Sequence, residues 1–300
     1  MKHLFPVVLL CLLVTSVNAA DKLTIYTVNY PLQYFAQRIA ADYAEVIFPA
    51  PPDVDPAVWT PNTETIRAYQ KADLVLLNGA GYASWVKKAS LSRARQVNTS
   101  ASFKDGYISV QEGATHSHGP AGDHSHTGTA FTTWLDLYQA VQQAESVMHA
   151  LVRKRPEHKA AFEQNFDALR DELMVLDLKI QKLVAGKAEQ PMLASHPVYQ
   201  YLARRYLLHL KELQWEPDAV PGDAEWQRLR YVTEGFPAQW MIWEKQPVPE
   251  IAGRLDDMGI GTLVLDPCAN RPRQGDFLDV MQQNVQNLSK AYPLPIQGYQ

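Results

Sequence analysis

Apolar positions recur in this chain with two periods, and the switches between them mark its elements. Residues 23–28 (Leu-Thr-Ile-Tyr-Thr-Val) predict a strand, with Asn29-Tyr30-Pro31 as the turn that follows. Leu32, Phe35, Ala36, Ile39 and Ala40 then share one helical face. Glu45 to Pro49 predicts a second strand, Pro49 to Pro61 a proline-rich loop, Thr63 to Lys71 a short helix, and Ala72 to Leu77 a buried strand ending at Asn78-Gly79-Ala80-Gly81. Strands and helices alternating in this way predict a parallel sheet with right-handed crossovers, which binds ligands beyond the carboxyl ends of its strands.

The period becomes purely helical from Thr133 to about Lys154, and Pro156 suits the first turn of a new helix. No proline or glycine interrupts Glu157 to Leu183, where Phe162, Phe166, Leu169, Leu173, Leu176, Ile180 and Leu183 form one stripe; Ala185-Gly186 ends the helix. The strand–helix logic then returns. Strands are expected at Pro191–Ser195, Leu210–Trp215, Met241–Glu244 and Gly261–Leu265, and helices at Val198–Leu208 and Gly275 to about Tyr292. The expected fold class is α/β, with two Rossmann-like parallel-sheet domains joined by one long rigid linker helix. The expected boundaries are 21–155, 156–186 and 187–300. A core helix of a single domain would carry the same stripe, because an apolar face reports burial and not the packing partner.

Composition narrows the class. Lys2 and His3 precede an apolar run from Leu4 to Val14, and Val17-Asn18-Ala19 fits the small-x-small cleavage rule, so residues 1–20 read as an export signal. The run is too short for a permanent membrane anchor, and no later segment is long and apolar enough to span. Removing it leaves Cys268 as the one cysteine, so no intramolecular disulfide can form and core burial must supply stability. The net charge of −4, with acids and bases interspersed, excludes a basic nucleic-acid stripe. The expected product is a soluble, monomeric periplasmic protein.

Four of the nine histidines, His116, His118, His124 and His126, lie in the run THSHGPAGDHSHTG. Imidazole is the commonest transition-metal ligand, and two H-x-H pairs joined by glycines can wrap one ion. Gly119, Pro120, Gly122 and Gly128 argue for a mobile, solvated loop over residues 115–128. The plain alternative is a surface loop without a ligand.

His196 and Asp266 each follow a predicted strand. A histidine and a carboxylate at neighbouring strand ends would make half of a divalent-metal site, zinc first and manganese also acceptable. Each has an ordinary explanation too, His196 as a capping or core histidine and Asp266 as a turn carboxylate before Pro267. Glu244 could be a third ligand or a structural partner. Enzymatic signatures are missing: there is no P-loop, G-x-S-x-G, H-E-x-x-H or C-x-x-C, Gly79 and Gly81 lack the third glycine of a dinucleotide fingerprint, and Cys268 has no histidine near it in sequence.

From Leu23 to Tyr292 the chain resembles the periplasmic metal-binding proteins of zinc and manganese ABC importers, the zinc-uptake and TroA-like group. The segments that carry the likeness are Tyr30-Pro31-Leu32 through Ile39, Asp55-Pro56, Lys71 to Val75 with Asn78-Gly79-Ala80-Gly81 and Trp85, Trp134-Leu135-Asp136, and Ser195-His196-Pro197 through Tyr206. The resemblance implies two α/β domains on a single long helix, metal in the cleft between them, a histidine-rich loop before the Trp-Leu-Asp segment, and no catalysis. It also implies a divalent-metal cargo and an inner-membrane ABC permease as partner.

The departures fall on the ligands. The family pattern D-P-H reads Asp55-Pro56-Ala57 here, and the ligand position two residues before Trp134 is Thr132. Of the implied cleft set only His196 and Asp266 remain, and two residues cannot close a tetrahedral site. Three arrangements stay open. Loop histidines 116, 118, 124 and 126 could complete the cleft with His196 and Asp266. The loop could bind zinc alone, as a periplasmic chaperone or buffer with a vestigial cleft. The cleft could instead take a metal chelate against Tyr30, Trp59 or Tyr199.

Overall fold

The computed structural model describes residues 22–110, 116–117, 123–124 and 128–293. The export signal, His118 and His126 lie outside the described residues.

The first sheet contains β1 (Leu23–Thr27), β2 (Ala44–Ile47), β3 (Leu74–Leu77) and β4 (Gln96–Asn98), all parallel, in the order β2-β1-β3-β4. Its helices are α1 (Tyr30–Ala40) and α2 (Thr63–Lys71). Asn29-Tyr30-Pro31, expected as a turn, begins α1 instead. The Asn29 side chain accepts from the Leu32 amide, and Pro31 occupies the first turn, where no amide hydrogen is needed.

Two short antiparallel ribbons follow. β5 (Ser109–Val110) pairs with β8 (Gly128–Thr129), and within their span β6 (His116–Ser117) pairs with β7 (Asp123–His124). The backbone of the histidine-rich segment is thus partly paired, although an irregular loop was expected. His116 stands opposite His124 in the register.

The helix expected from Thr133 begins with a 3₁₀ turn, Thr133–Leu135; Asp136 then caps α3 (Leu137–Lys154) by accepting from the amides of Tyr138 and Gln139. A further 3₁₀ turn at Pro156–His158 leads into α4 (Lys159–Val184), 26 residues long. At 1.5 Å per residue that is about 39 Å. The predicted stripe from Phe162 to Leu183 is buried, and α4 packs against α1, α3 and α8 (Phe277–Ala291).

The second sheet repeats the first. β9 (Pro191–Ala194), β10 (His209–Glu212), β11 (Trp240–Trp243) and β12 (Gly261–Val264) are parallel in the order β10-β9-β11-β12, with α5 (Gln200–Tyr206), α6 (Asp223–Gly235) and α7 (Pro249–Asp257) between them. In both sheets the strand order reverses between the first and third strands, β1/β3 and β9/β11. That reversal opens the crevice where α/β folds place ligands. The chain is therefore two parallel-sheet α/β units with one long helix between them.

Candidate metal site

Hydrogen bonds order the loops at the strand ends of the first sheet and tie them to the second unit. Asn29 and Asn78, at the ends of β1 and β3, bond through Nδ2 and Oδ1 at 3.2 Å; Asn78 Nδ2 also donates to the Phe131 carbonyl at 2.8 Å. That buried amide positions the chain just before Thr132. The loop after β12 crosses to the first unit. Trp134 Nε1 donates to the Pro267 carbonyl at 2.7 Å and the Tyr30 amide to the Ala269 carbonyl at 3.0 Å. Asn270 Nδ2 donates to the carbonyls of Pro51 and Val54, and the Arg271 guanidinium to those of Phe48 and Ala50. These bonds join the segments that carry Thr132 and Asp266 to the opposite unit.

The two N-terminal positions are committed to other work. Ala57 is buried and its amide donates to Asp55 Oδ1 at 2.9 Å. Thr132 Oγ1 donates to the Val198 carbonyl at 2.5 Å. On the other side, His196 is buried just beyond β9, with Nδ1 3.7 Å from Glu216 Oε1. Glu216 is delivered there by the Trp215 amide, which donates to the Ser195 carbonyl.

Asp266 follows β12, so it is two strands from His196 and not on the neighbouring strand as expected, because β11 runs between β9 and β12. At about 4.8 Å per strand the two backbones are separated by about 10 Å. Extending the register Ala194↔Ile242 brings Glu244 level with His196. Burial raises the Asp266 pKa, opposed by the hydrogen bond from the Cys268 amide and the charge of Lys245. Burial likewise raises Tyr199 well above the usual phenol range, with Glu244 and Asp266 adding to it. Tyr199 donates to the Leu265 carbonyl and Tyr30 is packed against the interface, so neither is an open wall for a chelate. Cys268 is a buried thiol whose pKa is pushed up by burial, then by Asp266 and Asp276. Among the described residues no three His, Cys, Asp or Glu side chains form a group able to hold a metal ion.

Residues 25–291 match the family model described as zinc-uptake complex component A, periplasmic. The chain belongs to that family. Its members serve metal uptake and not catalysis, which accounts for the missing enzymatic signatures. The high-affinity zinc uptake system protein ZnuA of Bacillus subtilis is 27% identical over 286 residues, covering 91% of this chain and 89% of its own. The manganese ABC transporter substrate-binding lipoprotein PsaA of Streptococcus pneumoniae is 25% identical over 291 residues, covering 92% and 91%. The Zn(II)-bound ZnuA-like domain of Streptococcus pneumoniae AdcA superposes with a TM-score of 0.76 at 21% identity, covering 91% of this chain and 100% of the domain. That last likeness is one of fold.

Two site features escaped the sequence reading. Tyr201 and Arg205 of α5 both cross the cleft: Tyr201 Oη donates to the Ala130 carbonyl at 2.9 Å, and Arg205 holds Asp177 of α4 through Nε at 3.0 Å and Nη2 at 2.7 Å, with Asp136 at 3.7 Å. The single available signal was that HPVYQYLARRY sets an arginine pair and three tyrosines in the segment after His196.

Proposed function

We propose that this chain is an exported, monomeric solute-binding protein that captures a divalent cation, zinc before manganese, and passes it to an inner-membrane ABC permease. His116, His118, His124 and His126 supply nitrogen donors that Ala57 and Thr132 lack, and His196 and Asp266 complete the set. The observation that carries this reading is the placement of the β5–β8 stem. Its strands and the Pro197-Val198 turn border one small pocket, lined by Val110, Thr129, Thr132, Pro197, Val198 and Gln200. The stem of the histidine-rich segment therefore stands against the turn that follows His196. Zinc suits nitrogen-rich sets, and the named relatives transport zinc and manganese. Capture is reversible coordination without covalent chemistry.

The test is zinc titration by calorimetry on the wild type, a deletion of residues 115–127, and His196→Ala. A shared site requires both variants to lose the same tight binding. Loss on loop deletion alone would favour the second reading, a zinc-binding ribbon acting as a chaperone or buffer; the His116↔His124 pairing speaks for that reading. A wild type that binds no tighter than about micromolar would count against high-affinity import.

A further inference from the structure

The β5–β8 ribbon has an interruption at its base. The register Ser109↔Thr129 continues to Ile108 opposite Ala130, and the Ala130 amide donates to the Ile108 carbonyl at 2.9 Å. In an antiparallel ladder such a pair exchanges a second bond, from the Ile108 amide to the Ala130 carbonyl. Here a side chain from the other unit takes both ends of that rung. The Ile108 amide donates to Tyr201 Oη at 3.3 Å, and Tyr201 Oη donates to the Ala130 carbonyl at 2.9 Å. The hydroxyl is both acceptor and donor, so the split rung leaves neither backbone group unsatisfied. Arg204, three residues on in α5, stacks over the Tyr201 ring at 5.0 Å and donates to the Gly106 carbonyl at 2.5 Å. Thr132, two residues past Ala130, bonds the Val198 carbonyl.

The base of the histidine-rich segment is thus held by α5, five residues past His196, as well as by its own sheet. We infer that Tyr201 is a positioning residue for metal capture: its hydroxyl, inserted as a ladder rung, sets the stem of the histidine-rich segment against the His196 turn. The inference rests on the shared-site reading above. Without the hydroxyl the ribbon can close its own rung, Ile108 amide to Ala130 carbonyl, and its stem is tied to the second unit only through Arg204 and Thr132. The loop donors and His196 then have to be brought together from independent positions, and the cost of ordering them falls on metal binding.

The test is zinc affinity of the full chain carrying Tyr201→Phe, measured with and without residues 115–127, alongside Thr132→Val as a second way to cut the tie. In the intact chain Tyr201→Phe should weaken zinc binding about fivefold to tenfold, the equivalent of one buried hydrogen bond, and Thr132→Val should shift it in the same direction. In the loop-deleted chain neither substitution should change what binding remains, which separates positioning from general loss of stability. If Tyr201→Phe and Thr132→Val both bind zinc as the wild type does, while loop deletion and His196→Ala each abolish the tight site, this inference is overturned and the shared site stands. If His196→Ala leaves the tight site intact, the shared site fails and this inference fails with it.

Discussion

Thr132 Oγ1 donates to the Val198 carbonyl at 2.5 Å, joining the position where the family resemblance implies a metal ligand to the turn that follows His196. A side chain that would bridge the cleft through a metal bridges it here through a hydrogen bond. With Trp134 on Pro267, Tyr30 on Ala269 and Tyr201 on Ala130, it makes the interface self-supporting. Each such bond contributes about 0.5–1.5 kcal/mol net, so the four together contribute about 2–6 kcal/mol, a fraction of the about 5–15 kcal/mol stability of a typical domain.

The N-terminal half of the implied cleft set can be rebuilt. Ala57→His with Thr132→His supplies two imidazoles and raises the donors around His196 and Asp266 to four, enough for a closed tetrahedral site. The doubly substituted chain should bind zinc at least about tenfold tighter, and should keep that binding when residues 115–127 are removed. Calorimetry checks both; an affinity still dependent on the loop would mean that the four positions do not converge.

Asp177 is fully buried in α4 and accepts from Arg205 twice, from Tyr206 Oη and from Gln181 Nε2. Arg205→Met removes its only cation among these donors and leaves a carboxylate in the interior. The expected loss is about 3–5 kcal/mol. Gln181→Leu removes one neutral donor and should cost about 1–3 kcal/mol. Urea denaturation of the metal-free chain ranks the two, and equal losses would show that Arg205 contributes no more than an ordinary hydrogen bond.

Asp136 also faces Arg205, but its pKa is raised from its ordinary 3.8: burial outweighs the capping amides and the arginines that oppose it. The folded chain therefore holds this proton more tightly than the unfolded chain. The associated stability is full below pH 3.8 and is lost as pH rises through the elevated folded value. Asp136→Asn keeps a good helix cap and has no charge to bury. Relative to the wild type it should gain stability from pH 4 to pH 7 and be at least as stable at pH 7, as read from denaturation midpoints across that range. A variant that falls behind as pH rises would mean that the Arg205 attraction exceeds the cost of burial.

Gly79 and Gly81 share φ +80° but not their surroundings. A Cβ on Gly79 would stand 2.0 Å from Ser100 Oγ and 2.4 Å from Asn98 Oδ1, whereas one on Gly81 would meet nothing within 4 Å. Gly81→Ala should cost about 1–2 kcal/mol, the left-handed backbone penalty alone. Gly79→Ala adds a steric clash among polar groups and should cost at least about 1 kcal/mol more. Thermal melts of the two variants measure the difference directly.

Much of the fold was legible because its signals are local. The stripe of α4 and the apolar runs of β3, β9 and β11 lie within stretches short enough to read by period. Elements with little buried surface were not legible. α6 buries only Trp226 and Leu229, α7 only Ile251 and Leu255, and β4 is a three-residue edge strand of Gln, Val and Asn. His196 and Asp266 do follow strands, β9 and β12, but the assumption that they end adjacent strands was wrong. Strand order depends on which crossover goes where, and β11 enters the sheet between the two strands.

By itself the sequence determined two α/β blocks, the helix between them, the family, and that alanine and threonine stand at positions 57 and 132, where the resemblance implies ligands. Periodicity and motif are properties of neighbours along the chain. Tertiary structure alone decided that Thr132 is spent on Val198, that Asp177 meets Arg205 from 28 residues away, and that Tyr201 completes a ladder 71 residues from its acceptor. A hydrogen bond across the cleft is set by where two distant segments come to lie, and no local pattern of residue types encodes that meeting.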